Sequence, residues 1–167
     1  MGKKLLLILV VFLTVSSCTP LSPFTSAPGY TLMAYDYINK RKRLTEYAEN
    51  GDVYSQYQLG MEYCCGNQTW NDNKQAMKWL CTAAKNGYSK AQFELGKIYE
   101  NKDERSAENA PVKTDLARAY IWYAVAADLY MNYEAVQAKK DLEDKLSPAE
   151  IKKVRSGAKN WRSLPCG

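Results

Sequence analysis

The chain has no histidine among its 167 residues. That removes Ser-His and Cys-His nucleophile pairs together with the commonest metal ligand, so any general base would have to be Asp, Glu or Lys. Charge of one sign is also scarce: 23 Lys and Arg against 18 Asp and Glu leave a formal charge of +5, a mild excess that does not call for nucleic acid. The apolar run near the start, Leu5 to Leu13, is too short for a bilayer core, which takes roughly 20 helical residues. What remains, 46% apolar and 25% charged residues, is the composition of one soluble globular domain.

Lys3 and Lys4 precede the apolar run and "TVSSC" closes it at Cys18, the layout of a secretory signal. Val15-Ser16-Ser17-Cys18 resembles the bacterial lipobox, in which small residues precede a Cys that receives a diacylglycerol and becomes the new N-terminus. Val15 stands where Leu is usual, and a conventional cleavage beside an incidental Cys is the other reading. Thr19 follows, and the lack of Asp there resembles lipoproteins sent on to the outer membrane. "TPLSPFTSAPG" reads as an extended tether, since proline fixes φ and lacks an amide donor; at ~3.1 Å per residue it reaches roughly 30 Å. The organisation expected is a signal peptide over 1–17, a lipidated Cys18 and tether over 18–30, a repeat domain over 31–162 and a tail over 163–167. Lys3 and Lys4 leave with the signal, which lowers the formal charge from +5 to +3.

"NGYSKAQFELGKIY" (86–99) nearly repeats "NGDVYSQYQLGMEY" (50–63) at a constant offset of 36. Leu59, Gly60 and Tyr63 match Leu95, Gly96 and Tyr99, and Ala48 matches Ala84. A second half follows each copy, "AMKWLCTAA" (76–84) and "AYIWYAVAA" (119–127), now at an offset of 43. The extra residues fall between Tyr99 and Asp115, in a charged stretch with Pro111 that reads as a lengthened surface loop. Val53, Tyr57, Gly60 and Cys64 form one helical stripe, and Ala76, Trp79, Leu80, Ala83 and Ala84 another. Two helices in ~36 residues make a solenoid unit. Glycine inside a helix costs about 1 kcal/mol against alanine, so Gly60 and Gly96 imply close approach of a neighbouring helix, with Trp79 and Trp122 expected opposite.

Ala91-Gln92-Phe93-x-Leu95-Gly96-x-x-Tyr99, the Asp72-x-x-x-Ala76-x-x-Trp79 step and the Ala83-Ala84-x-x-Gly87 closure resemble the Sel1-like repeat, a relative of the tetratricopeptide repeat. The resemblance covers roughly Thr31 to Asn160. Ser55 replaces a usual Ala, "CCGNQTW" lacks the regular Gly-x-Gly turn, and a third copy after Ala127 has no Leu-Gly pair and reads as a cap. "TLMAYDYINKRKRLTEYAEN" reads as an N-terminal half-repeat helix. "SPAEIKKVRSGAKNW" reads as a closing helix, with Ser147 as N-cap, Pro148 in the first turn and Glu150 at the third position. About seven helices and no strand are expected, hence an all-α right-handed α-α solenoid. Leu59, Gly60, Tyr63, Trp79, Leu95, Gly96, Tyr99 and Trp122 are its structural positions. By analogy with tetratricopeptide repeats, the first helix of each pair faces a concave side, with Tyr54, Tyr57, Met61, Lys90, Phe93 and Lys97 on it. The alternative for Tyr57 and Phe93 is packing between repeats.

Chemistry is thin. Ser156-x-x-Lys159 matches a motif of penicillin-recognising enzymes, and some cysteine-rich relatives in the repeat family are linked to β-lactam binding, but the motif sits late in a charged terminal helix. If Cys18 is lipidated, Cys64, Cys65, Cys81 and Cys166 remain, with three possible connectivities. Cys81 sits about 12 Å up its helix from the turn, too far for Cys64 or Cys65; Cys166 can reach one of the others, or the thiols stay free. Adjacent cysteines on a helix point ~100° apart, which disfavours a metal site. "KRKR" (40–43) reads either as a solvated face or as a contact for anionic headgroups or an acidic partner.

No cofactor and no metal are expected, and another protein is the expected partner. Sel1-like proteins often serve as adaptors, and small lipidated ones resemble immunity proteins that neutralise type VI secretion lipase effectors. The expectation is a non-enzymatic lipoprotein on the inner leaflet of the outer membrane, facing the periplasm, with an envelope-assembly or secretion scaffold as the alternative and a β-lactam-binding or peptidoglycan-acting enzyme as the remote one.

Overall fold

The computed structural model describes residues 28–65, 72–102, 110–130 and 132–166. Cys18 and the signal segment lie outside the described residues, as do the tether to residue 27 and most of the "CCGNQTW" turn. By proximity the chain divides into residues 1–36 and residues 37–167. In the first unit the described part is the opening of helix α1 (Pro28–Glu49), where Leu32, Met33 and Tyr35 are exposed. The helix begins inside the stretch read as a tether, with proline at its first position, where a missing N–H is no loss.

The second unit contains the rest of α1 and then α2 (Val53–Cys65), α3 (Asn73–Lys85), α4 (Ser89–Glu100), α5 (Leu116–Tyr130), α6 (Tyr133–Glu143) and α7 (Pro148–Ala158), followed by a 3-10 turn over Trp161–Ser163. The described residues hold seven helices and no strand. Helices α2 and α3 pair, α4 and α5 pair, α3 joins the two hairpins by packing on α4, and α6 and α7 close the end against α5. This is an α-α solenoid. Leu59, Leu95, Tyr99 and Trp122 are fully or almost fully buried and Trp79 nearly so. Tyr63 is half-buried, with the Arg41 guanidinium 4.0 Å from its ring centroid.

Both glycines sit at close approaches, but the opposing residues are one position later than expected. A Cβ on Gly60 would lie 2.7 Å from Leu80 Cγ and 2.9 Å from the Leu80 amide nitrogen, and one on Gly96 would run into the Tyr123 ring. Trp79 and Trp122 belong to the core without filling the notches. The reason is angular: neighbouring residues on a helix point about 100° apart, so only one of Trp79 and Leu80 can meet the glycine.

The repeat extends to its hydrogen bonds. The Gln56 amide donates to the Ala48 carbonyl at 3.1 Å, and Gln92 donates to Ala84 at 3.0 Å. The Asp72 amide donates to the Tyr63 carbonyl at 3.2 Å, and Asp115 to Tyr99 at 2.8 Å. Each aspartate then accepts from the backbone at the start of its helix, Asp72 from Gln75 and Asp115 from Arg118, which satisfies an otherwise orphaned N–H. The lengthened loop is thus pinned at both ends as the short one is.

At the closing end Ser147 and Glu150 form a capping box with Pro148 in the first turn. Gly157 of α7 lies against α5, where an added Cβ would stand 3.1 Å from Ile121 Cδ1. Cys166 is disulfide-bonded to Cys81, with Cα atoms 6.1 Å apart, which settles one of the pairings the sequence left open and ties the C-terminal tail to α3.

Candidate protein-binding face

Six residues were assigned to the first helices of the two hairpins, in equivalent pairs: Tyr54 with Lys90, Tyr57 with Phe93, and Met61 with Lys97. Tyr54 and Lys90, in the first turns of α2 and α4, are exposed. The second and third pairs are half-buried. Phe93 packs 5.5 Å from the Tyr123 ring, and Met61 is packed against the main core. Lys97 pairs with Glu94, one turn earlier, at 3.0 Å. Tyr57 is screened from water, and burial is the main force pushing its hydroxyl pKa up, with Glu94 adding to it.

The unforeseen member is Tyr88. Its ring is 5.1 Å from Tyr57 and 6.4 Å, edge-on, from Tyr54, so three tyrosines meet where one hairpin joins the next. Tyr88 occupies the N-cap of α4 without a side-chain hydrogen bond. The equivalent position before α2 is Asp52, which accepts from the Ser55 amide at 2.7 Å. Replacing a capping residue by a non-capping one costs roughly 1 kcal/mol, and the second repeat carries an aromatic contact in its place. Comparing the copies position by position would have singled Tyr88 out, as the one place where a cap gives way to a ring.

Gln56 and Gln92 stand at equivalent positions of the two copies, 36 apart. They are buried polar links of the array: Gln56 also accepts from Asn86 Nδ2 at 3.0 Å, bridging α2 to the next turn, while the corresponding Gln92 Oε1 is buried with no partner among the described residues.

The basic run is divided. Lys40 pairs with Glu62 at 2.8 Å and Tyr37 donates to the same carboxylate at 3.2 Å; these bonds, the lysine's first, hold Glu62 below the usual carboxylate range. Lys42 and Arg43 are exposed. Ser156 and Lys159 are both exposed near the end of α7. Among the described residues no group of three Cys, Asp or Glu could hold a metal ion, and no helix is long and apolar enough to cross a membrane.

The family model of the Sel1 repeat matches residues 53–88 and 89–130, one hairpin each. The chain carries two Sel1 repeats. Among solved structures it is similar to a protective antigen present in uropathogenic Escherichia coli strains that displays an SLR fold, with a TM-score of 0.65, 25% sequence identity and coverage of 72% of this chain. The chain spans about a quarter of that protein's length, 24%. No curated protein matches the chain in sequence. Sel1 repeats point to a protein-interaction module, and proteins built from them are typically scaffolds and not enzymes.

Proposed function

We propose that the chain is a lipid-anchored, non-enzymatic protein-binding module on the periplasmic side of a bacterial outer membrane, which holds its partner on the face formed by α2 and α4. The Tyr54–Tyr88–Tyr57 cluster carries this reading: it lies at the junction of two repeats, keeps one ring over half exposed at 55%, and stands where a helix cap has been given up. Tyrosine is enriched at interface hot spots because it offers a large rigid surface with a polar tip. Lys90 beside it contributes a positive charge. The lipobox-like Val15-Ser16-Ser17-Cys18 supplies the anchor. The specific role proposed is immunity against a type VI secretion lipase effector, and the alternative is an envelope-assembly or secretion scaffold.

A lipase encoded beside the gene would be the partner to test. The mature protein should suppress that lipase's hydrolysis of phospholipid vesicles, and Tyr54→Ala with Lys90→Glu should abolish the suppression while leaving the melting temperature unchanged. Undiminished inhibition by that double variant would remove the surface assignment. A lipase that is neither bound nor inhibited would remove the immunity role and leave the scaffold.

A further inference from the structure

A groove of about 810 Å³ runs along α3, the second helix of the first hairpin. It is distinct from the tyrosine junction, with which it shares no lining residue. Its walls carry Lys74, Lys78 and Lys85, and among the described residues no carboxylate lines it. Its floor is apolar, formed by Met77, Pro111 and the Cys81–Cys166 disulfide. Met77 and Cys81 are nearly fully buried, whereas Lys74 and Lys78 are exposed. The Lys78 ammonium rests 4.7 Å from the Trp79 ring centroid, a cation–π contact that holds it against the helix surface.

A surface with cations along one edge and an apolar floor suits an anionic ligand that also has an apolar group. The spacing indicates which kind. At 1.5 Å per residue, Lys74 and Lys78 are about 6 Å apart along the axis and Lys78 and Lys85 about 10 Å. An extended peptide rises about 3.3 Å per residue with alternate side chains on one face, so carboxylates at its first, third and fifth positions, spanning about 13 Å on one face, come within reach of the three flexible lysine side chains. An apolar residue at the fourth would lie over the floor. A lipid headgroup concentrates its charge at one point and makes no use of a row roughly 16 Å long.

We infer that this groove is a second docking site, for an extended acidic segment of a partner protein with one apolar anchor. The inference rests on the reading of the chain as a protein-binding module and gives that partner a chemistry. The disulfide makes the site dependent on the closed tail, since Cys166 is part of its lining.

The probe is a fluorescein-labelled peptide, Glu-Ser-Glu-Leu-Glu, read by anisotropy against the mature protein at low salt. Replacing Lys74, Lys78 and Lys85 by Gln should weaken binding at least fivefold. Replacing the exposed Lys140, Lys152 and Lys153 by Gln, an equal change of net charge, should change it less than twofold. Peptides with Gln for Glu or Ala for Leu should bind more weakly, and salt should loosen the complex, as expected for exposed charges. In the wild-type protein, carbodiimide cross-linking of the peptide should map to the three groove lysines, an outcome that needs no variant to fold. Equal losses in the two lysine triples, cross-links scattered over the surface, or binding of phosphatidylglycerol vesicles through these lysines without peptide binding would each overturn the inference. Tyr54→Ala with Lys90→Glu should leave peptide binding unchanged, which separates failure of this site from failure of the tyrosine junction.

Discussion

Gln92 donates its side-chain amide to the carbonyl oxygen of Ala84 at 3.0 Å, reaching from the first turn of α4 back to the last turn of α3. Among the described residues its oxygen accepts no hydrogen bond, whereas the oxygen of its counterpart Gln56 accepts from Asn86. Two positions with the same sequence context and the same burial thus differ by one hydrogen bond. An unmade buried bond costs about 1–3 kcal/mol, and removing the unsatisfied group recovers part of that. Gln92→Leu should therefore destabilise the protein less than Gln56→Leu does, by about 1 kcal/mol in urea denaturation. Equal losses would show that the Asn86 contact contributes nothing.

The glycine notches give a graded series. Alanine at Gly60 meets the Leu80 backbone and side chain, and at Gly96 it meets a buried ring whose hydroxyl is held by Glu100 at 2.8 Å. Overpacking of this kind costs about 1–3 kcal/mol, so each variant should melt roughly 3–10 °C lower. Gly157→Ala meets only the end of the Ile121 side chain, which can rotate away, and better helix propensity should leave its melting point nearly unmoved.

Cys81 and Cys166 close a loop across 85 residues of sequence. In the chain-entropy account such a closure stabilises the folded state by about 4–5 kcal/mol. Cys166→Ser should lower the urea midpoint accordingly. An unfolding free energy lowered by less than about 1 kcal/mol would mean that the unfolded chain is already held compact.

Stability should be flat near neutrality, because the chain has no histidine to titrate there. Glu62 is held below its ordinary value of 4.5 chiefly by the Lys40 hydrogen bond, and Glu143 by that of Tyr120. A depressed folded-state pKa means stability that is complete above the unfolded value and disappears as pH falls through the folded one. Lys40 is raised, first by the same bond to Glu62, and Tyr120 is raised, first by burial; their contributions are complete below about pH 10 and are lost above it. Melting temperatures should form a plateau from about pH 5 to 9 that falls at both ends. Glu62→Gln should reduce the acid-side slope, and an unchanged slope would exclude the Lys40 pair as its source.

The helices, their pairing and the glycine notches were legible because period and repeat reinforce each other: Leu59-Gly60 and Leu95-Gly96 stand on equivalent faces of two helices, and any one copy constrains the other. The closing helix was legible from Ser147, Pro148 and Glu150, whose roles are local. What opposes a notch was not legible to better than one residue, since Trp79 and Leu80 both suit a core and only the crossing of two helices selects between them. The Cys81–Cys166 link stayed open for a related reason: it depends on where the tail returns after α7. Tyr88 was missed because it breaks the repeat, and a search for sameness passes over the position where two copies differ.

The paired amides of Asp72 and Asp115, each clasping the carbonyl of a tyrosine on the preceding helix, have a consequence for how such a protein can grow. They uncouple the length of the connecting segment from the pitch of the array. Extra sequence lies between Tyr99 and Asp115, yet the next helix starts from the same amide-to-carbonyl clasp as in the first repeat. A foreign peptide or a small domain grafted at that point should leave the stack undisturbed, which makes this clasp the natural place to enlarge the molecule.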